Sequence, residues 1–313
     1  MKKKIPNIGK IVVKKIYGFC LLISLSAWSQ QESQYTQYMY NTLSFNPAYA
    51  GSRDCLSIFG LHRNQWVGLE GAPVTNNFSV HSPVGDKVGL GLSVLNDKIG
   101  PMDENSISVD FSYTFDLDNF YNVAFGLRGT ADFLNVDFNR LNIYNPDDSQ
   151  LQNNIDNQFS PNVGVGVYAY SDNSYAGFSI PNILETSHYA RNSNSAIKSK
   201  MHLNFIAGYV FSLNDDFKFK PATLVRAVIG APIQVNISAN FLYRNILTLG
   251  AGYRWNSSFS AMAGFQITDG FFAGYAYDAE TSQLSYYNAG SHEFFLRFEL
   301  FKKFNRVINP RFF

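Results

Sequence analysis

NSISVDFSYTFDL, residues Asn105 to Leu117, alternates without a break: Ile107, Val109, Phe111, Tyr113 and Phe115 are apolar, while Ser106, Ser108, Asp110, Ser112, Thr114 and Asp116 are polar. Successive side chains of a strand point to opposite faces, so this stretch is a strand lying between two different media. Working outward, Val88, Leu90, Leu92 and Val94 alternate with Gly89, Gly91 and Ser93, and Ile233, Val235, Ile237, Ala239 and Phe241 alternate with Gln234, Asn236, Ser238 and Asn240. No helical period competes. The pattern resolves into fourteen segments, near 55–66, 73–82, 87–95, 106–116, 121–135, 159–171, 174–181, 201–213, 217–229, 233–243, 246–255, 259–267, 271–279 and 292–301. Their common length of about ten residues is that of a tilted strand crossing a bilayer.

The connections sort by length. Every second one is tight and rich in turn residues: Pro83 to Asp86, Leu117 to Phe120, Asp172 with Asn173, Asn214 to Asp216, Arg244 with Asn245, and Thr268 to Gly270. The long connections, 96–105, 136–158, 182–200 and 280–291, all fall at the other end of the array. An even number of antiparallel strands with short turns at one end and long loops at the other describes an outer-membrane β-barrel with both termini on the periplasmic side. A soluble sandwich or propeller also supplies many short strands but has no reason to sort its loops. Phe111, Tyr113, Phe115, Phe241, Tyr243, Tyr253, Trp255, Tyr275 and Tyr277 end the apolar sets and suit interfacial girdles.

The N-terminus points to the same compartment. Lys2, Lys3, Lys4, Lys10, Lys14 and Lys15 precede an apolar run from Ile16 to Ala27 that is too short to span a bilayer as a helix, followed by Ala27, Trp28 and Ser29. This is the form of a cleaved signal peptide, residues 1–29. Phe19 before Cys20 is a poor lipoprotein context, and the processed chain keeps Cys55 alone, so no internal disulfide is available. Past residue 29 the chain holds 25 − 6 = 19 basic and 24 acidic residues, a negative balance that disfavours nucleic acid as a partner. The domain reading is a signal peptide (1–29), an N-terminal periplasmic or plug segment (30–54), the barrel (55–301) and a basic periplasmic tail (302–313) carrying Lys302, Lys303, Arg306 and Arg311.

If the apolar parity faces lipid, then Asp110, Arg128, Asp132, Arg226, Arg244, Arg254, Asp278, Glu293, Arg297 and Glu299 face inward. An Arg turned to lipid at the midplane costs about 2–4 kcal/mol, so the assignment is constrained. Both signs occur, which fits a paired lumen network better than an ion-selective ring. His62, His81, His188, His202 and His292 lack zinc spacing, Gly89 and Gly91 lack the third glycine of a dinucleotide fingerprint, and no G-x-S-x-G is present. The reading is therefore a non-enzyme with no cofactor. Small inward residues in a strand account for the glycine pair.

Two stretches are more specific: QYTQYMYN (34–41) leading to NPAYAGS (46–52), and HRNQWVGLEGAP (62–73). Asn46, Pro47 and Tyr49 belong to an extended, turn-forming entry that packs under or into the barrel mouth. Arg63, Gln65, Trp66 and Glu70 lie near the outer end of the first strand, as turn chemistry and a tryptophan anchor or as a partner-contacting surface. Together with GLGLSVLNDKIGP (89–101) and the closing SHEFFL (291–296), these stretches resemble the PorP/SprF family of outer-membrane proteins of the type IX secretion system. The resemblance implies a Bacteroidota-type outer membrane and a role in exporting large secreted proteins or holding exported adhesins, including gliding adhesins, at the cell surface. The partners it implies are other type IX secretion proteins and a secreted client, with outer-membrane lipid around the barrel. A porin or small-solute transporter shares the architecture and is the alternative.

Overall fold

In a computed structural model of the chain, residues 35–117, 120–141, 154–184, 201–228 and 231–300 are described. The signal peptide, the basic tail and most of the loops 136–158 and 182–200 lie outside them. Among the described residues the strands are β1 (Leu56–Asn64), β2 (Val74–Val84), β3 (Val88–Ile99), β4 (Met102–Asp116) and β5 (Asn122–Val136). There follow β6 (Ile155–Tyr170), β7 (Ser174–Ile180), β8 (His202–Tyr209), β9 (Phe211–Ser212) and β10 (Phe217–Val228). The last five are β11 (Gln234–Tyr243), β12 (Leu247–Arg254), β13 (Ser258–Thr268), β14 (Phe271–Glu280) and β15 (Ser291–Leu300).

Neighbours in sequence pair antiparallel, β10 continues the wall to β11, and β1 pairs with β15, so the sheet closes. Closure removes every free edge, as a strand structure in hydrocarbon requires. β8 and β9 are two parts of one stave, since both pair with β10, giving a fourteen-stave barrel. The break at Tyr209 and Val210 falls opposite Lys220 and Pro221, and the proline nitrogen has no proton to donate to the ladder. On the other side of the stave the amide of Val210 continues the ladder to β7, donating to the Asn173 carbonyl at 2.7 Å.

The outer wall is apolar. Leu90, Leu92, Val94, Ile107, Val109, Phe111, Tyr113 and Phe115 are all exposed, while Ser93, Ser108, Asp110 and Ser112 between them are buried. Near the short-turn end aromatic rings pair across strands, Phe217 with Tyr243 and Phe219 with Phe241 at 4.8 Å between centroids in each case. These rings form part of an interfacial girdle.

One loop differs from expectation. Residues 96–105 are not a long connection: β3 runs to Ile99, β4 starts at Met102, and only Gly100 and Pro101 turn between them. The polar run Asn96 to Asn105 resembles a loop because polar residues occupy both of its faces. It is held as a hairpin by cross-strand polar contacts, including Lys98 to Asp103 at 3.1 Å and Asn96 to Asn105 at 2.9 Å.

The N-terminal segment was expected as a periplasmic or plug segment, packing under or into the barrel mouth. Its described residues, 35–54, lie inside the lumen, and nearly all of them are buried. The chain forms two short 3-10 turns, Thr42–Ser44 and Pro47–Tyr49, and the second packs on β4, β5 and β6. Its Tyr, Met, Leu and Phe side chains supply the apolar core that the polar-facing wall lacks: Tyr35, Tyr38, Met39, Tyr40, Leu43 and Phe45 cluster with Phe59, Tyr168, Phe272 and Phe295 of the strands. The barrel is thus filled by its own leading segment.

Candidate functional site: the plugged lumen

Asn46 begins the tightest part of the plug. Its side-chain oxygen accepts from the Ala48 amide at 3.0 Å and so caps the Pro47–Tyr49 turn, while its amide nitrogen donates to the Val167 carbonyl of β6 at 2.9 Å. Pro47 occupies the first position of that turn, where its missing N–H removes nothing. Tyr49 packs edge-on against Tyr168 and His81, 5.4 and 5.3 Å between centroids. These three residues, candidates for partner contact, are buried inside the barrel.

The wall is shaped to receive them. A Cβ on Gly89 would collide with the Ala50 carbonyl, one on Gly126 with the backbone of Pro47 and Ala48, and one on Gly166 with the Asn46 side chain. A Cβ on Gly177 would lie 2.7 Å from the Asn46 amide nitrogen. Four inward glycines on β3, β5, β6 and β7 are therefore the mould for the sequence from Asn46 to Ala50.

Charged side chains tie the plug at three levels. At the long-loop end Arg63 donates to Asp278 at 2.7 Å, to Glu293 at 3.0 Å and to the Thr36 hydroxyl at 2.9 Å. Glu293 in turn accepts the amides of Thr36 and Gln37, both at 2.9 Å, and Arg254 stands 3.9 Å from Asp278. Near mid-height Arg128 pairs with Asp110 at 2.6 Å and donates to the carbonyls of Leu43 and Ser44 at 2.6 and 3.1 Å. Ser179 and Ser112 donate to the carbonyls of Phe45 and Ala50 at 2.6 and 2.7 Å. At the short-turn end Arg53 pairs with Glu299, which also faces Arg297 at 3.4 Å. Inward charges therefore hold plug backbone as well as one another, which satisfies groups that are costly to bury alone.

The remaining sequence candidates divide. Arg226 is buried with its guanidinium 5.8 Å from the Phe45 ring centre, and Arg297 lies 5.1 Å from that of Phe272. Asp132, half-buried, accepts from Ser106. Arg244 does not face inward: it sits in the turn after β11 at φ 51°, is exposed, and pairs with Asp216 of the neighbouring turn at 3.0 Å. Strand parity fails there because a left-handed turn residue no longer follows the pleat.

Gln65, Trp66 and Glu70 form the first outer loop. Gln65 donates its amide to Pro73 at 3.0 Å. Trp66, at φ 49°, donates its indole N–H to Glu280 at 3.0 Å, and Val67 exchanges backbone bonds with Ala289 and Gly290 at 2.8 Å. The loops 65–73 and 281–290 are thereby joined, and Glu70 stands exposed on them. Thr36, Gln37, Arg53 and the glycine mould were not singled out from sequence as plug contacts. The available signal was glycine, rather than serine or asparagine, at inward positions. Among the described residues no group of three His, Cys, Asp or Glu side chains converges for a metal ion.

A closed antiparallel barrel with an apolar exterior, a polar inner wall and an internal plug defines an outer-membrane-type β-barrel. The family model described as "Type IX secretion system membrane protein PorP/SprF" matches residues 27–298, and the chain belongs to that family, in the outer membrane. No curated protein matches it. Among solved structures it is similar to the CymD monoaromatic hydrocarbon channel, with 10% identity and TM-score 0.49, covering 84% of this chain and 93% of that one. Omp33 of Acinetobacter baumannii gives 9% identity and TM-score 0.46, covering 79% and 98%. A FadL homologue of Pseudomonas aeruginosa gives 12% and 0.44, covering 82% and 93%.

Proposed function

We propose that this chain is a closed, protein-binding scaffold of the type IX secretion system, which supports secretion or surface anchoring of large exported proteins. The observation that carries the reading is the plug: a lumen filled from Tyr35 to Arg53 and tied to the wall at three levels is built to stay shut. A small-solute porin needs a continuous wet path, and its neighbours in fold do not decide the matter. The outer loops, including 136–158 and 182–200, are the contact surface for a secreted client, and the basic tail 302–313 is the contact for periplasmic components. No residue acts catalytically.

Two measurements test this. Purified protein in a planar bilayer stays silent if the scaffold reading holds, whereas large, steady openings would establish a pore. Deleting 142–153, which leaves β5 and β6 whole, releases the client from the cell surface while the barrel still assembles. Unchanged surface retention would remove that loop from the mechanism. Co-purification in mild detergent with mass spectrometry identifies the partners.

A further inference from the structure

The plug has a direction. Thr36 and Gln37 are bound by Glu293, close to the Ser291 end of β15, and Thr36 also by Asp278, close to the Glu280 end of β14. Both are the long-loop ends of their strands, as is the position of Arg63 near the end of β1. Arg53, by contrast, is bound by Glu299 at the opposite end of β15, and Gly51 meets Pro83 and Gly89 beside the turn between β2 and β3. Glu293 and Glu299 are six residues apart on one strand, roughly 20 Å at the usual rise, and the plug spans that height. Between these two ends Tyr38, Met39, Tyr40 and Leu43 of the plug are all buried.

We infer that the plug is threaded with its amino-terminal end toward the cell surface, so that the processed chain presents its N-terminal peptide on the same face as the long loops. The inference rests on the outer-membrane reading and on long loops facing outward. It opposes the periplasmic alternative for the segment 30–54. It also requires that the lysine-rich leader be removed, since an uncleaved leader would have to stand outside the cell. Cleavage before Gln30 leaves the five residues Gln30 to Gln34 ahead of Tyr35, a reach of at most roughly 17 Å.

The test uses variants of the full chain that each carry one added cysteine, and a membrane-impermeant maleimide. Native Cys55 is buried and gives no background. Ser33→Cys reports the N-terminal peptide, Tyr286→Cys the exposed loop between β14 and β15, and Asp172→Cys the exposed turn between β6 and β7. Heat-modifiable gel mobility verifies that each barrel has assembled. The expected result is labelling of Ser33→Cys and Tyr286→Cys on intact cells, and of Asp172→Cys only after the outer membrane is permeabilised. If Ser33→Cys behaves like Asp172→Cys, or is labelled in neither state, while Tyr286→Cys reacts on intact cells, the threading direction is overturned and the scaffold reading stands. If Tyr286→Cys and Asp172→Cys exchange behaviours, the orientation of the barrel itself is wrong and both fall.

Discussion

Gly126→Val tests whether the wall glycines hold the plug in place. The new Cβ would meet the Ala48 amide nitrogen and the Pro47 carbonyl carbon, which are backbone atoms with no rotamer to swing aside. Ordinary van der Waals spacing returns only if the Pro47–Tyr49 turn retreats by roughly 1 Å or more. Overpacking of that kind costs about 1–3 kcal/mol. The retreat also stretches the bonds from Ser112 to Ala50 and from Asn46 to Val167, each contributing about 1 kcal/mol net. A total near 3 kcal/mol raises the population with a displaced plug by about a hundredfold. The control is Gly129→Val on the same strand, where a Cβ meets nothing within 4 Å and the expected effect is within about 0.5 kcal/mol. Two assays read the difference. Arg53 is the one trypsin site in residues 35–54; it is buried and ion-paired in the native plug, so cleavage there should accelerate in Gly126→Val and not in Gly129→Val. Brief openings in a planar bilayer should appear in the first variant alone. Equal trypsin resistance and equal silence in two assembled variants would refute the idea that glycine shape holds the plug.

Three further outcomes follow from the geometry. Arg63→Met leaves Asp278 and Glu293 buried with one cation fewer, and loss of one partner of a buried pair costs about 3–5 kcal/mol, so assembled barrel measured by heat-modifiable mobility should fall sharply. Arg63→Lys should recover it only in part, because one ammonium does not reproduce the two-pronged contact. Trp66→Ala removes the indole bond to Glu280 and should loosen the joined outer loops, seen as faster proteolysis within 281–290 with the barrel intact. Cys55 is buried, so alkylation followed by mass spectrometry should be slow in the folded protein and become rapid on denaturation.

The strands were legible because a wall between hydrocarbon and a polar interior imposes one period on every stave, and Ile107 to Phe115 carries it undiluted. The inward facing of Asp110 and Arg128 also follows from parity, since neither charge is tolerated toward lipid, whereas their pairing with one another comes from the register of β4 on β5. Elsewhere the pattern loses its meaning: Asn96 to Asn105 carries polar residues on both faces and mimics a loop, and Arg244 leaves the pleat at a left-handed turn. The plug was partly legible. Its tyrosines and the Asn-Pro turn marked it as unusual, but which wall residues receive it depends on register between distant strands. Gly126, Gly166 and Gly177 meet one short turn from three staves, and no local spacing in the sequence records that convergence.

The seam between β1 and β15 has a consequence for biogenesis. The last strand supplies Glu293, which grips Thr36 and Gln37, and Glu299, which grips Arg53, as well as the backbone partners of β1. Zipping shut and locking the interior are therefore a single event, and neither can be completed by a polypeptide cut short before its final stave. A truncated or mis-threaded product therefore keeps an unzipped border, with the backbone groups of β1 left without their partners on β15.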